Sequence, residues 1–143
     1  MATLERAIEI AASAHAGQLD KAGAPYVLHP ISVMLRMSAV EEMVAGVLHD
    51  VVEDSSWTLD DLRTEGFTLE VIEALDALTK RPGESRVDAA KRARKHPIAR
   101  AVKLADNAEN MDLSRIPNPT AKDLARLEEY KKVRKILLED DDV

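Results

Sequence analysis

The stretch His49-Asp50-Val51-Val52-Glu53-Asp54 constrains this chain more than any other. It ends the most apolar helical segment of the sequence with four ionisable side chains. From Glu41 to Glu53 the pattern has a helical period, and Val44, Val47, Leu48 and Val51 mark an element that docks in a core. Burying an unpaired charge is costly, so an apolar helix that carries His, Asp, Glu and Asp has a use for them. Residues three and four apart share a helix face, which sets Gly46, His49, Asp50 and Glu53 on one side. Small Gly46 would leave room there for a metal ion. Acids at a helix C-terminus oppose the macrodipole, so Glu53 and Asp54 also point to something nearby that needs them.

The rest of the chain reads as helices. Thr3 to Ala16, Pro30 to about Ser38, Thr58 to Thr64, Thr68 to Leu78, Val87 to Lys95, Pro97 to about Leu113 and Thr120 to about Leu138 all suit the helical period. Thr3, Thr58, Thr68 and Thr120 stand where N-caps belong. Gly17 and Pro82-Gly83 stand where chains turn, and Gly17 to Tyr26 reads as a loop. No segment alternates convincingly with period two. Aromatic residues are only 3% of the chain, so its core is made of Ala, Leu, Val, Ile and Met, a palette that suits closely packed helices. The expectation is an all-α bundle of about seven to eight helices. Residues 1–143 would form a single domain, with 138–143 as a disordered acidic tail.

Composition narrows the chemistry. With no cysteine, disulfides and thiolate metal sites are excluded, and any metal must use imidazole and carboxylate. The net charge of −6 argues against broad binding to nucleic acid, although a metal ion and a few local cations can still draw a small anion into a cleft. No apolar run is long enough for a signal peptide or a membrane span, so the expected location is the cytoplasm, with no membrane partner. A homo-oligomer stays open.

Two further segments offer ligands of the permitted kinds: His29 in Leu28-His29-Pro30, and Asp106 in Lys103-Leu104-Ala105-Asp106-Asn107. A lone His-Asp pair is usually structural, but His29, His49, Asp50 and Asp106 in this order would let three helices converge on one ion. Such a mixed N/O set suits Mn²⁺, Fe²⁺, Co²⁺ or Zn²⁺. His15 and His96 fall at helix ends and read as structural or surface residues.

Several motifs carry a resemblance. Ala14-His15-Ala16-Gly17-Gln18, Lys21-Ala22-Gly23-Ala24-Pro25-Tyr26 and His29-Pro30 resemble the opening motif of alarmone hydrolases. His49 to Asp54 followed by Thr58, then Leu78-Thr79-Lys80, and Lys103 to Asp106 through Asn110-Met111 resemble the later motifs of the same family. These are HD-superfamily metal-dependent phosphohydrolases, namely the hydrolase domains of RelA/SpoT-type enzymes of the stringent response and their small stand-alone relatives. The resemblance implies an HD-domain helical bundle that removes the 3′-pyrophosphate of guanosine tetra- or pentaphosphate. It implies Mn²⁺ held by His29, His49, Asp50 and Asp106, with Glu53 and Asp54 as the acids that orient and deprotonate water. Lys21, Tyr26, Asn110 and Tyr130 match positions that border the nucleotide. Lys80 and Lys103 are candidates to neutralise phosphate, while Arg81 and Arg86 read as solvated surface residues.

Departures bear on the substrate. Asp20 stands where the family usually has an arginine, and Asn107-Ala108-Glu109 replaces a basic-leucine-aromatic or histidine triplet. The metal and catalytic residues are complete while substrate recognition is partly rewritten. A hydrolase for another nucleotide or phosphorylated metabolite is therefore the competing expectation. A non-catalytic binding module ranks last, because no ligand or catalytic acid is missing.

Overall fold

The computed structural model describes residues 2–114, 116 and 118–139. Among these the chain is all-helical: α1 (Leu4–Ala14), α2 (Leu28–Leu35), α3 (Val40–Leu48), α4 (Val51–Asp54), α5 (Leu59–Glu65), α6 (Leu69–Leu78), α7 (Arg86–Arg94), α8 (Pro97–Met111) and α9 (Ala121–Leu138). The all-α reading holds. The count exceeds the expected one because the segment Glu41 to Glu53 is not one helix but α3 and α4, divided at His49–Asp50. The four threonine caps stand where the sequence places them. Thr3, Thr58, Thr68 and Thr120 each accept a backbone N–H from three residues on, which satisfies one of the free donors of the first turn. None of the described helices is long and apolar enough to cross a membrane.

α3 is the central element. Val44, Ala45, Val47 and Leu48 are buried between Ala7, Ile10 and Ala11 of α1, Val33 and Met34 of α2, Val71 and Leu75 of α6, and Ala99 and Val102 of α8. The many alanines and the single glycine in these contacts let helix axes approach closely, as the scarcity of aromatics requires. A second, smaller cluster of Ala90, Val133 and Leu137, with Leu104 and Ile136 against it, joins α7, α8 and α9.

The basic helix α7 is less solvated than its composition suggests. Arg92 donates to the carbonyls of Asp76, Ala77 and Thr79 at 3.1, 2.8 and 2.9 Å, closing the C-terminus of α6. Arg94 and Arg100 do the same for α9 through the carbonyls of Ile136 at 3.2 Å and Leu137 at 2.6 Å. These are charge-assisted bonds to helix ends, where the macrodipole favours cations. Of the expected tail, Leu138 still belongs to α9. Glu139 follows it, with its carboxylate bonded by Arg94 and its carbonyl by Arg100. Residues 140–143 lie outside the described residues.

Candidate metal centre and cleft

The division of α3 from α4 shapes the site. The Gly46 carbonyl, which a continuous helix would offer to the Asp50 N–H, accepts from the His49 Nδ1–H at 2.6 Å. Asp50 then turns to φ −101° and ψ −4°, the sparsely used region between helix and strand where many active-site residues sit. Its carboxylate Oδ2 accepts from the Tyr26 hydroxyl at 2.5 Å. Gly46 itself faces α2 and not a metal pocket: a Cβ there would meet Met34 Cα and Val33 Cγ1 at 3.4 Å. The expectation of empty space beside Gly46 is therefore corrected. The glycine permits close approach of two helices, and its carbonyl fixes the tautomer of His49.

Three elements bring the four expected ligands together. His29 enters from α2, His49 and Asp50 from the break, and Asp106 from α8. His29 Nε2 lies 2.8 Å from Asp106 Oδ1, and His49 Nε2 lies 3.5 Å from the same oxygen and 3.1 Å from Asp50 Oδ2. The ligand atoms of His29, His49 and Asp50 all fall within 4.8 Å of one another. His49 Nε2 is buried and has no hydrogen bond of acceptable geometry. An orphaned imidazole nitrogen facing two carboxylates is the environment of a cation, and the donor set fits a divalent ion of the N/O-preferring kind.

The electrostatics agree. Burial opposes a charged His49, but Asp50 and Asp106 beside it raise its proton affinity well above the ordinary imidazole value. Burial opposes a charged Asp106 as well, yet the hydrogen bond with His29, the His49 imidazole beside it and the nearby Lys103 ammonium hold its carboxyl well below the usual range. Asp50 is likewise lowered against its burial, chiefly by His49. Tyr26 is pushed up, first by burial and then by Asp50, so it remains a neutral donor. Lys103 Nζ and Asn110 Nδ2 complete the surroundings of Asp106 at 3.4 and 3.2 Å.

A cavity of about 300 Å³ opens over this cluster and is lined by Glu53, Lys80, Arg86, Lys103, Asn110 and Tyr130, among others. Glu53 Oε1 accepts the Lys80 backbone N–H at 2.7 Å, so one acid is fixed at the cleft wall. Asp54 is not in this lining. Its Oδ2 accepts from Gln18 Nε2 at 3.3 Å. A second cavity of about 300 Å³ adjoins the first, with Tyr26, His29, Asn110 and Tyr130 common to both. Lys21 and Arg126 bring positive charge to it, and Leu19, Leu113 and Leu127 give it apolar wall.

Some residues behave differently from the sequence expectation. Arg86 is exposed and 3.7 Å from Glu129, as expected of a surface residue, and it also lines the inner cleft, with its guanidinium 5.2 Å from the Tyr130 ring centroid. Arg81 pairs with Asp76 at 3.2 Å and stays out of the cleft lining. Asp20 organises its own loop, with Oδ1 accepting the N–H groups of Ala22 and Ala24 at 2.9 Å each. In the altered triplet, Asn107 is buried and donates to the Tyr130 carbonyl at 2.9 Å, and Glu109 accepts from Arg36 at 2.6 Å. Asn107 was missed as a cleft residue; its position one step after Asp106, where the motif departs, was the available signal. His15, expected at a helix end, does follow α1, but its ring is wholly buried.

Several known proteins are similar to this chain. A metazoan ortholog of SpoT, reported to hydrolyze ppGpp and to play a role in starvation responses, superposes with a TM-score of 0.78 over 96% of this chain and 86% of its own at 23% identity. The GTP pyrophosphokinase of Streptomyces coelicolor is 34% identical over 94% of this chain and 16% of its own length. The guanosine-3′,5′-bis(diphosphate) 3′-pyrophosphohydrolase of Borreliella burgdorferi is 37% identical over 52% of this chain and 12% of its own. The chain thus spans less than a fifth of the length of these two relatives. Residues 7–143 match the HD domain family, and on that match this chain belongs to it.

Proposed function

We propose that this chain is a metal-dependent phosphohydrolase that removes the 3′-pyrophosphate of guanosine tetra- and pentaphosphate, with His29, His49, Asp50 and Asp106 as ligands of Mn²⁺. One observation carries the reading: two imidazoles and two carboxylates from three elements converge at 2.8 to 3.5 Å, with the buried His49 Nε2 left without a hydrogen bond. The names of the relatives support the substrate, since both describe enzymes of guanosine polyphosphate chemistry. A divalent ion at such a site lowers the pKa of a bound water and screens charge that develops on the phosphoryl group.

The chain's own side chains supply the remainder. Glu53, held by the Lys80 N–H, is the acid of the cleft lining that is not assigned as a ligand, and it takes the proton from the attacking water. Asp54, next in the chain and held by Gln18 at 3.3 Å, is the second acid of this proposal and helps to orient the water. Lys80, Arg86 and Lys103 surround the inner cleft with positive charge suited to a pyrophosphate. Tyr26, Asn110 and Tyr130 form the seam with the outer cavity, where Lys21 and the apolar wall would take the nucleoside. The His49 to Asp54 motif, the cations and the seam would together line one path from nucleoside to scissile bond.

A second reading keeps the hydrolase and changes the substrate. Asp20 fills the position of the expected arginine, and Glu109, Asp112 and Asp123 also border the outer cavity. An outer cavity so rich in carboxylates suits a nucleotide with less negative charge at its distal end. The test is a substrate panel at saturating Mn²⁺. Release of pyrophosphate and GDP from guanosine tetraphosphate, well above release of orthophosphate from nucleoside monophosphates, supports the first reading. Turnover confined to singly phosphorylated nucleotides supports the second, and no turnover of any phosphate ester refutes both.

A further inference from the structure

His15 is the buried titratable group that the proposed reaction leaves unused. Its side chain is fully shielded from solvent, and its Nε2 has no hydrogen-bond partner. Nδ1 lies 2.9 Å from Gln18 Oε1, and Gln18 Nε2 lies 3.3 Å from Asp54 Oδ2. The ring packs against Tyr26 with centroids 5.1 Å apart. Tyr26 in turn donates to Asp50.

These contacts fix each donor in turn. An ionised Asp54 carboxylate only accepts, so Gln18 presents its NH₂ to Asp54 and its carbonyl oxygen to His15. That carbonyl requires a donor, so His15 carries its proton on Nδ1, and Nε2 is a buried lone pair. An apolar residue would fill the same space without an orphaned acceptor. Retention of imidazole here has a physical rationale only in what Nδ1–H and the ring do for their neighbours.

We propose that His15 is a positioning residue: through Gln18 it orients the Asp54 carboxylate, and through ring contact it holds Tyr26 against Asp50. This inference rests on the proposed hydrolase reading for its effect on turnover, but its geometry can be tested without substrate. His15 does not touch the reacting atoms.

The experiment has two arms. In long-range ¹H–¹⁵N correlation spectra of the Zn²⁺-loaded protein, His15 should show a protonated Nδ1 and an unprotonated Nε2. Gln18→Ala should shift the Nδ1 signal. A His15 ring protonated on Nε2, or one indifferent to Gln18→Ala, overturns the proposal. In the kinetic arm, His15→Phe keeps an aromatic ring without the donor, and His15→Asn restores a donor at the Nδ1 position. Thermal melts verify that both are folded. On whichever phosphate ester the wild type hydrolyses, His15→Phe should lower kcat by about 10- to 100-fold with KM and Mn²⁺ affinity unchanged, the scale expected for a misplaced catalytic group. His15→Asn, with the donor but no ring, should regain kcat over His15→Phe while binding Mn²⁺ more weakly as Tyr26 loosens from Asp50, and in an Asp54→Asn background His15→Phe should have no further effect. An undiminished loss in that background overturns the proposal. If the wild type hydrolyses no phosphate ester, the hydrolase reading falls by itself, and the spectroscopic arm alone decides the geometry.

Discussion

The contact between α2 and α3 at Gly46 should govern both stability and metal affinity. A Cβ built on Gly46 falls 3.4 Å from Met34 Cα and Val33 Cγ1 and 3.5 Å from the Met34 nitrogen. Alanine fits with little adjustment, and its helix propensity exceeds that of glycine by roughly 1 kcal/mol. Gly46→Ala should therefore unfold within about 1 kcal/mol of the wild type. Valine adds two methyl groups against the α2 backbone, which cannot swing aside as a side chain can. Overpacking of this kind costs about 1–3 kcal/mol. A loss near ~2 kcal/mol lowers the Tm of a chain of this size by roughly 4–8 °C. The same wedge separates His29 on α2 from His49, which is tied to the Gly46 carbonyl at 2.6 Å. Disturbing the partner that orients a metal ligand typically weakens binding by about 10- to 100-fold. Urea unfolding of the metal-free variants and Mn²⁺ titration followed by electron paramagnetic resonance give the two quantities. A Gly46→Val protein as stable as Gly46→Ala, with wild-type Mn²⁺ affinity, would refute the claim that this close approach sets the site.

Other substitutions separate the roles assigned above. Asp106→Ala removes the acceptor shared by His29, Lys103 and Asn110 and should abolish both bound Mn²⁺ and turnover; a metal-loaded, active variant would sink the ligand assignment. Glu53→Gln keeps an acceptor for the Lys80 N–H, so metal content should be unchanged while turnover falls by roughly 10²-fold or more. Full activity in that variant would remove Glu53 from the mechanism. Glu84 is held down to about 2 from its ordinary 4.5, first by the Arg92 guanidinium and then by the Arg81 N–H. Because the folded value is the lower one, this contribution is complete above the unfolded value and is lost as pH falls from 4.5 toward 2. Glu84→Gln should lower stability at neutral pH and flatten the acid limb in that window. Urea midpoints that fall equally steeply in both proteins would show that Glu84 contributes nothing there.

Local signals carried far in this sequence. Thr3, Thr58, Thr68 and Thr120 each act through an N–H three residues away, so their caps are legible without knowledge of the fold. His29, His49, Asp50 and Asp106 stand out as a set through their order in the motifs, and the fold brings their side chains together through contacts of 2.8 to 3.5 Å. The break at His49–Asp50 was not legible, since the apolar period of Glu41 to Glu53 runs through it. It arises from bonds made by side chains, Tyr26 to Asp50 and His49 to Gly46, that periodicity does not encode. Partners distant in sequence account for the rest. Arg86 borders the cleft beside the Tyr130 ring of another helix, and Asn107 is fixed by a carbonyl of α9. Asp20 reads as a lost nucleotide contact from the motif, yet its carboxylate is engaged with the Ala22 and Ala24 N–H groups. Those bonds also mean that Asp20→Arg would disturb the loop as well as the charge.

A single metal centre formed by His29, His49, Asp50 and Asp106 is the proposal on which every other role depends. Diffraction from Mn²⁺-loaded crystals at the manganese edge locates the ion without reference to any substrate. The account predicts one strong anomalous peak, about 2.0–2.3 Å from both imidazole Nε2 atoms and an oxygen of each carboxylate, as is usual for divalent ions bound by such ligands. A peak elsewhere on the chain, or none at Mn²⁺ concentrations that support turnover, would contradict it.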